Sequence, residues 1–223
     1  MFNFLRVSSA VPPVTVADVN ENLISIEAKI KEATDNGSKL VALPELALTG
    51  YTCEDLFCQS ALLDKSTEGL CKIIELSSKY KAVIVVGLPL RIDGELYNCA
   101  AVAACGILCG IVPKTFLPNN SSSMEKRWFS SSEDLKVFEI SINDLGIKNL
   151  GDYIVPVGRD LVFNVANYFK FAVEIGDDSF SVLPPSTFLA LDGAEIIVNL
   201  SAEGETVTRR EYRRSIFKNL SKR

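Results

Sequence analysis

Residues 96–114, LYNCAAVAACGILCGIVPK, form two apolar runs separated by Cys105 and Gly106. Apolar runs of this length around a short turn predict an antiparallel β-hairpin. The segment before it, AVIVVGLPL at 82–90, is a continuous apolar run, which is typical of a strand covered on both faces. A hairpin beside such a strand predicts a mixed sheet and argues against a doubly wound parallel one.

Helical patterns alternate with apolar strands on both sides of this hairpin. Asp18 stands as an N-cap with Glu21 three residues on, and apolar residues at helical spacing follow as far as Gly37. Further strands are predicted in residues 4–12, 39–46, 161–176 and 194–202, and further helices around Leu70, after Pro184 and over 208–223. The polar stretch 119–134 is predicted to be loop. This alternation predicts an α/β protein whose mixed sheets are covered by helices, with residues 1–223 forming one domain.

Charge and cysteine content restrict the functional class. The chain of 223 residues has 23 Lys+Arg against 28 Asp+Glu, a net charge of −5, which argues against nonspecific nucleic-acid binding. No apolar run is long enough to span a bilayer, and no signal segment opens the chain, so we expect no membrane association and a cytoplasmic location. The six cysteines are then expected to be free thiols, and without a C-x-x-C pair they predict no metal site.

The chain contains no histidine. Ser-His-Asp and Cys-His catalysis both need an imidazole base and are therefore excluded within it. Neither G-x-x-x-x-G-K-[ST] nor G-x-G-x-x-G occurs, so the familiar phosphate-binding loops are absent as well. Hydrolytic chemistry in this chain would depend on carboxylates, lysines and thiols.

Three predicted strands end at residues of chemical interest. Glu45 follows VALP, Lys114 follows GIVP, and Gly176 follows VEI. Ligands of α/β folds bind at the carboxyl ends of strands, where a carboxylate and an ammonium would shift each other's pKa. Glutamate and lysine at loop starts are often only solvated, so this pattern by itself leaves both interpretations open.

Several segments occur in the order and at the spacing of the nitrilase (carbon–nitrogen hydrolase) superfamily. They are VALPELALTGYTCEDLF (41–57), VPKTFLPN (112–119), MEKRWF (124–129), VEIGDDSF (173–180) and VNLSAEGE (198–205) followed by RREYRR (209–214). In detail they resemble the glutaminase domain of glutamine-dependent NAD synthetases. The most specific part is PELALTGYTCEDLF (44–57), because its Gly-Tyr-x-Cys-x-Asp-Leu-Phe tail is characteristic of the synthetase branch. The resemblance implies a four-layer α-β-β-α sandwich.

The family resemblance also implies a role for each matching residue. Glu45 matches the general base, Lys114 the lysine that stabilises the oxyanion, and Glu125 a second glutamate that supports this lysine. Tyr51 matches an aromatic residue of the glutamine pocket, and Arg209 matches a basic residue that lines it. In the family a cysteine forms a thioester with the glutamine acyl group and ammonia is released.

The chain departs from the family pattern at three positions of this site. Gly176 stands where the nucleophilic cysteine is expected, Asn120 where a tyrosine is expected, and Glu203 where a serine is expected. Three changes around one substrate predict that glutamine hydrolysis is lost. Cys53 is the nearest alternative thiol by motif, but we expect it to be a buried packing residue.

Three functions stay open at this point. The chain is an ammonia-supplying glutaminase domain of an NAD synthetase, a pseudoenzyme that binds a partner or ligand, or a hydrolase that uses water directly. We expect no cofactor in this chain, because ATP and nicotinate adenine dinucleotide would belong to a synthetase domain that it lacks. The resemblance also predicts that the last strands of the domain are missing. Expected partners are glutamine, a second copy, or a separate synthetase chain.

Overall fold

The computed structural model describes residues 4–120, 123–165 and 168–222. It contains short and long strands together with four α-helices. In chain order the strands are β1 (Val7–Ser9), β2 (Leu40–Ala42), β3 (Val83–Ile92), β4 (Glu95–Ala104), β5 (Ile107–Pro113), β6 (Asn119–Asn120), β7 (Ser123–Met124), β8 (Glu139–Ser141), β9 (Ile154–Pro156), β10 (Val162–Val165), β11 (Phe169–Ile175) and β12 (Ile196–Leu200). The helices are α1 (Val19–Asp35), α2 (Ser60–Tyr80), α3 (Pro185–Leu191) and α4 (Arg209–Leu220).

The predicted hairpin is confirmed and forms one side of a five-stranded mixed sheet in the order β1-β2-β3-β4-β5. The pairs β1–β2 and β2–β3 are parallel, whereas β3–β4 and β4–β5 are antiparallel. Cys105 and Gly106 form the turn between β4 and β5, and both have positive φ, at 53° and 81°. Because only a short turn separates β4 from β5, these two strands cannot be parallel.

A second sheet has the order β10-β11-β12 and packs face to face on the first. In it, β10–β11 is antiparallel and β11–β12 is parallel. The turn predicted around Asn167 lies outside the described residues. Alternate residues of β11 face the first sheet, as the period of a strand requires. The apolar layer between the sheets includes Val85, Val102, Phe171, Val173 and Ile175.

Helices cover the outer faces of both sheets, so the predicted four-layer α-β-β-α arrangement is confirmed. Helices α1 and α2 pack on the first sheet through Ile26, Ile30, Leu70, Ile73 and Ile74. Helix α3 packs on β11. Helix α4 buries none of its residues and is attached through ring contacts of Tyr212 and Phe217 with Phe180.

The ends of α1 agree with the sequence signals. The amide of Glu21 donates to Asp18 Oδ1 at 3.1 Å, which satisfies one of the free N–H groups of the first turn. After Asp35 the chain turns through Gly37, whose φ of +85° is a left-handed conformation that favours glycine. The helix boundaries therefore follow from local chemistry.

The chain segment that connects β5 to β10 departs from the sequence-based prediction. The prediction of loop over 119–134 is wrong in part, because β6 pairs with β7 and a 3₁₀ turn covers Glu125–Arg127. Strands β8 and β9 were not predicted at all. Strands of two or three residues have too little periodicity to be recognised. In the described parts of the chain, no helix has the length and apolar character needed to cross a membrane.

Candidate active site

Glu45 reaches the site because the chain after β2 packs tightly against β3. A Cβ at Gly87 would lie 2.5 Å from the Pro44 carbonyl oxygen and 2.6 Å from Glu45 Cα, so only glycine permits this approach. The amide of Leu48 donates to the Gly87 carbonyl at 3.3 Å. Gly87 thus places the backbone of Glu45, although the sequence analysis did not single it out. A lone glycine within an apolar strand is the signal that was available.

Lys114 follows β5 directly and lies between two carboxylates. Its Nζ donates to Glu45 Oε1 at 2.7 Å and to Glu125 Oε1 at 2.7 Å, and it lies 3.9 Å from Asp177 Oδ2. The side chains of Lys114, Glu45 and Glu125 are at most 2% exposed. A charge can be buried when it is paired with an opposite charge and hydrogen-bonded. The Lys114 ammonium meets this condition through its two carboxylate partners.

Glu125 is oriented by Tyr51 and Asn98. The Tyr51 hydroxyl donates to Glu125 Oε1 at 2.7 Å and lies 2.6 Å from Ser123 Oγ. Asn98 Nδ2 donates to Glu45 Oε1 at 2.7 Å and lies 3.5 Å from Glu125 Oε2, so one amide spans both carboxylates. Asn98 was not predicted from the sequence as a site residue. An asparagine inside an apolar strand was the signal, because a buried amide needs partners.

The pKa directions follow from burial and from the neighbouring charges. Burial by itself would lower the pKa of Lys114, but the two carboxylates outweigh it and the pKa is raised. Burial raises the pKa of Glu45, the charge of Glu125 adds to this, and Lys114 opposes it. Burial and then the charge of Glu125 raise the pKa of Tyr51. Lys114 therefore stays charged, and the tyrosine stays a hydrogen-bond donor.

Gly176 lies beside the Glu45–Lys114 pair, at the end of β11. Its φ is +49°, and a Cβ built on it would lie 2.9 Å from Glu45 Oε2 and 3.0 Å from Lys114 Nζ. A side chain at this position would therefore project between the carboxylate and the ammonium. Asn199 Nδ2 donates to the Gly176 carbonyl at 3.2 Å and links this turn to β12. The structure thus brings together the three strand ends singled out in the sequence.

Asp178, two residues further on, joins the turn after β11 to the segment after Lys114. Its Oδ1 accepts from the amides of Thr115 at 3.1 Å and Phe116 at 2.7 Å, and its Oδ2 accepts from Ile175 at 3.1 Å. Burial raises the pKa of Asp178 to about 7, although the backbone donors oppose this shift. Asp178 is a positioning residue that the sequence analysis did not assign.

The remaining predicted residues surround this cluster. Asn120 lies in the β6–β7 hairpin, where its Oδ1 accepts from the amide of Ser123, which also contacts Tyr51. Arg209 Nη2 donates to Glu203 Oε1 at 2.6 Å. Burial raises the pKa of Asp177. The charge of Lys114 opposes this increase, the charge of Glu203 adds to it, and the charge of Arg209 opposes it. The Asp177 carboxylate is therefore influenced by Lys114, which lies 3.9 Å away, and also by the charges of Arg209 and Glu203.

Cys53 is turned toward backbone carbonyl groups. Its Sγ donates to the Thr49 oxygen at 3.1 Å and to the Gly50 oxygen at 3.4 Å, and burial raises its pKa. The side chain packs in an apolar cluster with Phe57 and Leu62. A thiol held in this way lacks the electropositive surroundings that make a cysteine nucleophilic.

Two cavities, of about 780 and 540 Å³, lie away from the charged cluster. The larger is lined by α2 and by β3, β8 and β9, and the smaller by Thr115, Phe116 and α3. Neither is lined by Glu45, Lys114 or Gly176. The candidate active site is therefore identified by its charged residues and not by the volume of a cavity. Lys114 already contacts both Glu45 and Glu125 there.

Comparison with known proteins gives a consistent result. A family profile described as carbon–nitrogen hydrolase matches residues 6–218. Over 222 residues the chain is 32% identical to the glutamine-dependent NAD(+) synthetase of Mycobacterium leprae (strain TN), covering 99% of this chain and 31% of that protein. The chain therefore spans about a third of the length of such relatives.

Solved structures resemble the chain over nearly all of its length. A glutamine-dependent NAD(+) synthetase from Cytophaga hutchinsonii has a TM-score of 0.77 at 27% identity, covering 95% of this chain and 33% of that one. An amidase from Neterenkonia sp. AN1 has a TM-score of 0.70 at 16% identity, covering 92% of this chain and 69% of that one. At that lower identity the likeness concerns the fold alone.

Proposed function

The chain belongs to the carbon–nitrogen hydrolase family, and on that premise we propose that it is a glutaminase-type domain of the kind found in glutamine-dependent NAD synthetases. We further propose that it does not hydrolyse glutamine, because Gly176 stands at the nucleophile position. Its ancestral task is the release of ammonia for NAD synthesis. The main alternative is a pseudoenzyme that acts as a binding or regulatory module on the same scaffold.

The observation that carries the proposal is the direction of the missing side chain at Gly176. A Cβ there would lie within 3.0 Å of both Glu45 Oε2 and Lys114 Nζ. In a glutaminase with a cysteine at this point, a glutamate would take the thiol proton and the sulfur would attack the amide carbon. The C–S bond forms, and the C–N bond breaks as the protonated glutamate returns this proton to the nitrogen, so that ammonia leaves. Water then hydrolyses the thioester to glutamate and regenerates the thiol. Glycine has no atom that can form the C–S bond.

Direct attack by water is a weaker alternative. Glu45 and Lys114 are hydrogen-bonded to each other at 2.7 Å, so the base and the ammonium are already engaged. An amide hydrolysed by water at this site would also lose the covalent route, which divides one difficult step into two easier ones. Both arguments support loss of turnover over a change of mechanism.

The persistence of the charged cluster favours the binding module as a second candidate function. Glu45 and Glu125 remain buried and both accept a hydrogen bond from the buried Lys114, although there is no thiol for them to serve. Under either function, ATP and nicotinate adenine dinucleotide would bind to a synthetase unit and not to these residues.

All six cysteines are free thiols, which supports a cytoplasmic location.

An ammonia assay on the purified chain with L-glutamine tests the proposal. We expect no ammonia or glutamate above the rate of Glu45→Ala, which removes the proposed base. Gly176→Cys is expected to restore little activity, because Asn120 and Glu203 also differ from the family pattern. Ammonia release by the unaltered chain that disappears in Glu45→Ala would overturn the proposal. If Cys53→Ser removed such activity as well, the alternative thiol would be the nucleophile.

A further inference from the structure

The larger cavity, of about 780 Å³, lies away from the charged cluster of the candidate active site. Its volume is in the range of about 300–1,000 Å³ in which small-molecule sites are found. Several separate parts of the chain enclose the cavity, so its shape depends on the fold and not on one loop. These parts include α2, the end of β3 with the turn into β4, β8, and the segment from Asp144 to Gly146.

The inner wall of the larger cavity is apolar. Leu63, Leu90 and Leu145 line it and are themselves at most 9% exposed, so they belong to its deep part. Ile154 also lines it and is largely exposed to solvent. Apolar surface of this kind is stabilised when a hydrocarbon group covers it and displaces water. The wall therefore fits a ligand that has a hydrocarbon part.

The rim of the larger cavity carries an excess of negative charge. Its four carboxylates come from different elements and are exposed; they are Asp64, Asp93, Glu139 and Asp144. Arg91 is the one cation among the described lining residues, which gives the lining a net charge of −3. Charges of one sign around a cleft with apolar walls raise the local concentration of an oppositely charged ligand. The ligand that fits this rim is a cation.

The carboxylates of the rim are also free to bind a ligand. Helix α2 pairs its other two carboxylates with lysines, Glu68 with Lys65 at 2.5 Å and Glu75 with Lys72 at 2.9 Å. Within the described residues, Asp64 and the three other carboxylates of the rim form no ion pair or side-chain hydrogen bond. A cationic ligand therefore has no internal partner to displace.

We propose that the larger cavity binds an aliphatic diamine or polyamine. Its ammonium groups donate charge-assisted hydrogen bonds to the rim carboxylates, and its hydrocarbon chain covers the apolar wall. Asp93 and Glu139 belong to different elements, so a chain with an ammonium at each end is held at two points. The proposal involves no residue of the Gly176 site and goes beyond the proposed function.

Ordinary solvation of the four carboxylates is the interpretation to distinguish. Exposed carboxylates are stable in water without a partner, and a cation near them gains little. Solvation predicts weak attraction of any cation, independent of its hydrocarbon chain. A binding site predicts that affinity depends on both the charge and the length of the ligand.

The test compares hexamethylenediamine with hexamethylene glycol, which is similar in shape and uncharged, and with the shorter trimethylenediamine. Binding is followed by NMR through the amide signals of Gly94 and Gly146, which line the cavity, in about 0.15 M salt to screen long-range attraction. We expect saturable binding of hexamethylenediamine, at least about tenfold tighter than that of either other probe, because it combines charge with more buried methylene groups.

Variants with matched charge locate the binding. Asp93→Asn combined with Glu139→Gln is expected to weaken hexamethylenediamine binding at least about tenfold, because two of its acceptors lose their charge. The control combines Glu195→Gln with Glu211→Gln, two exposed carboxylates outside the cavity. It changes the net charge equally and is expected to alter the affinity by less than about twofold. If the cavity double variant unfolds, Glu139→Gln alone replaces it, with Glu195→Gln as its control.

Each other outcome overturns the proposal. Absence of saturable binding would mean that the larger cavity is not a site for amines. Equal affinity for the glycol would mean that the carboxylates do not contribute, and equal affinity for trimethylenediamine would mean that the apolar wall does not. An equal loss in the control variant would mean that only the net charge of the protein acts. Because no probe contains an amide, the result is independent of the ammonia assay with glutamine.

Discussion

Lys114 Nζ donates a hydrogen bond of 2.7 Å to Oε1 of Glu45, a residue 69 positions away in the chain. Both side chains are almost completely buried, and the ammonium is shared with Glu125. This contact connects the residue that follows β5 to the chain segment that follows β2. A buried charged contact of this kind affects stability as well as chemistry.

Replacement of Lys114 is expected to destabilise the fold strongly. Lys114→Ala would leave Glu45 and Glu125 buried without a counter-ion, which typically costs about 3–5 kcal/mol of unfolding free energy. The control is Lys126→Ala in the turn beside Glu125, where the lysine is exposed and the expected change is within about 0.5 kcal/mol. Denaturant unfolding of both variants measures the difference. Equal midpoints would contradict the prediction.

Replacement of Gly176 by alanine is expected to lower the free energy of unfolding more than the same replacement at a glycine with no neighbouring atoms close by. Gly94→Ala introduces a Cβ at φ +84° with nothing within 4 Å, so its cost is backbone strain of about 1–2 kcal/mol. Gly176→Ala adds the displacement of Glu45 and Lys114, which we expect to contribute a further ~1–3 kcal/mol. Thermal or denaturant unfolding gives both values. A smaller effect at Gly176 would show that the two charged side chains move aside freely.

The unfolding free energy is expected to depend on Asp178 between about pH 4 and pH 7. Its pKa is raised by burial to about 7, so the native state holds a proton that the unfolded chain has lost. The stabilisation is complete below the unfolded pKa and decreases as pH rises through the native pKa, by on the order of 4 kcal/mol.

Asp178→Asn cannot titrate and isolates this contribution. We expect the variant to be less stable than the unaltered chain at low pH, and the difference between them to narrow toward pH 7. Denaturant unfolding across this pH range measures the difference. Parallel pH profiles would mean that Asp178 remains ionised in the native state, with its three backbone donors outweighing burial.

Self-association, expected from the family resemblance, remains a prediction. Large apolar side chains are exposed on α3 and just before it, including Val182, Leu183, Phe188 and Leu191. Such a surface favours a second copy or a separate synthetase chain. We expect light scattering to detect a dimer or larger oligomer, and Leu191→Lys to shift it toward monomer. Ile24→Lys on α1, also at an exposed apolar residue, is the control. A monomer at high protein concentration would contradict the prediction.

Long apolar elements were predictable from sequence because their signals are local. The hairpin turn at Cys105 and Gly106 and the cap at Asp18 depend on residues within a few positions of each other. The family resemblance added Glu45, Lys114 and Glu125, which the structure brings into contact. Strands β8 and β9 were missed, because their stability comes from pairing and packing and not from a pattern of their own.

The sequence by itself determined the alternation of strands and helices, the absence of an imidazole base, and glycine at position 176. Only the tertiary structure decided that Asn98 spans two carboxylates and that Gly87 admits the backbone of Glu45. These contacts join strand ends and loops that are distant in the chain. Their geometry depends on how the two sheets pack, and a local sequence pattern carries no information about that packing.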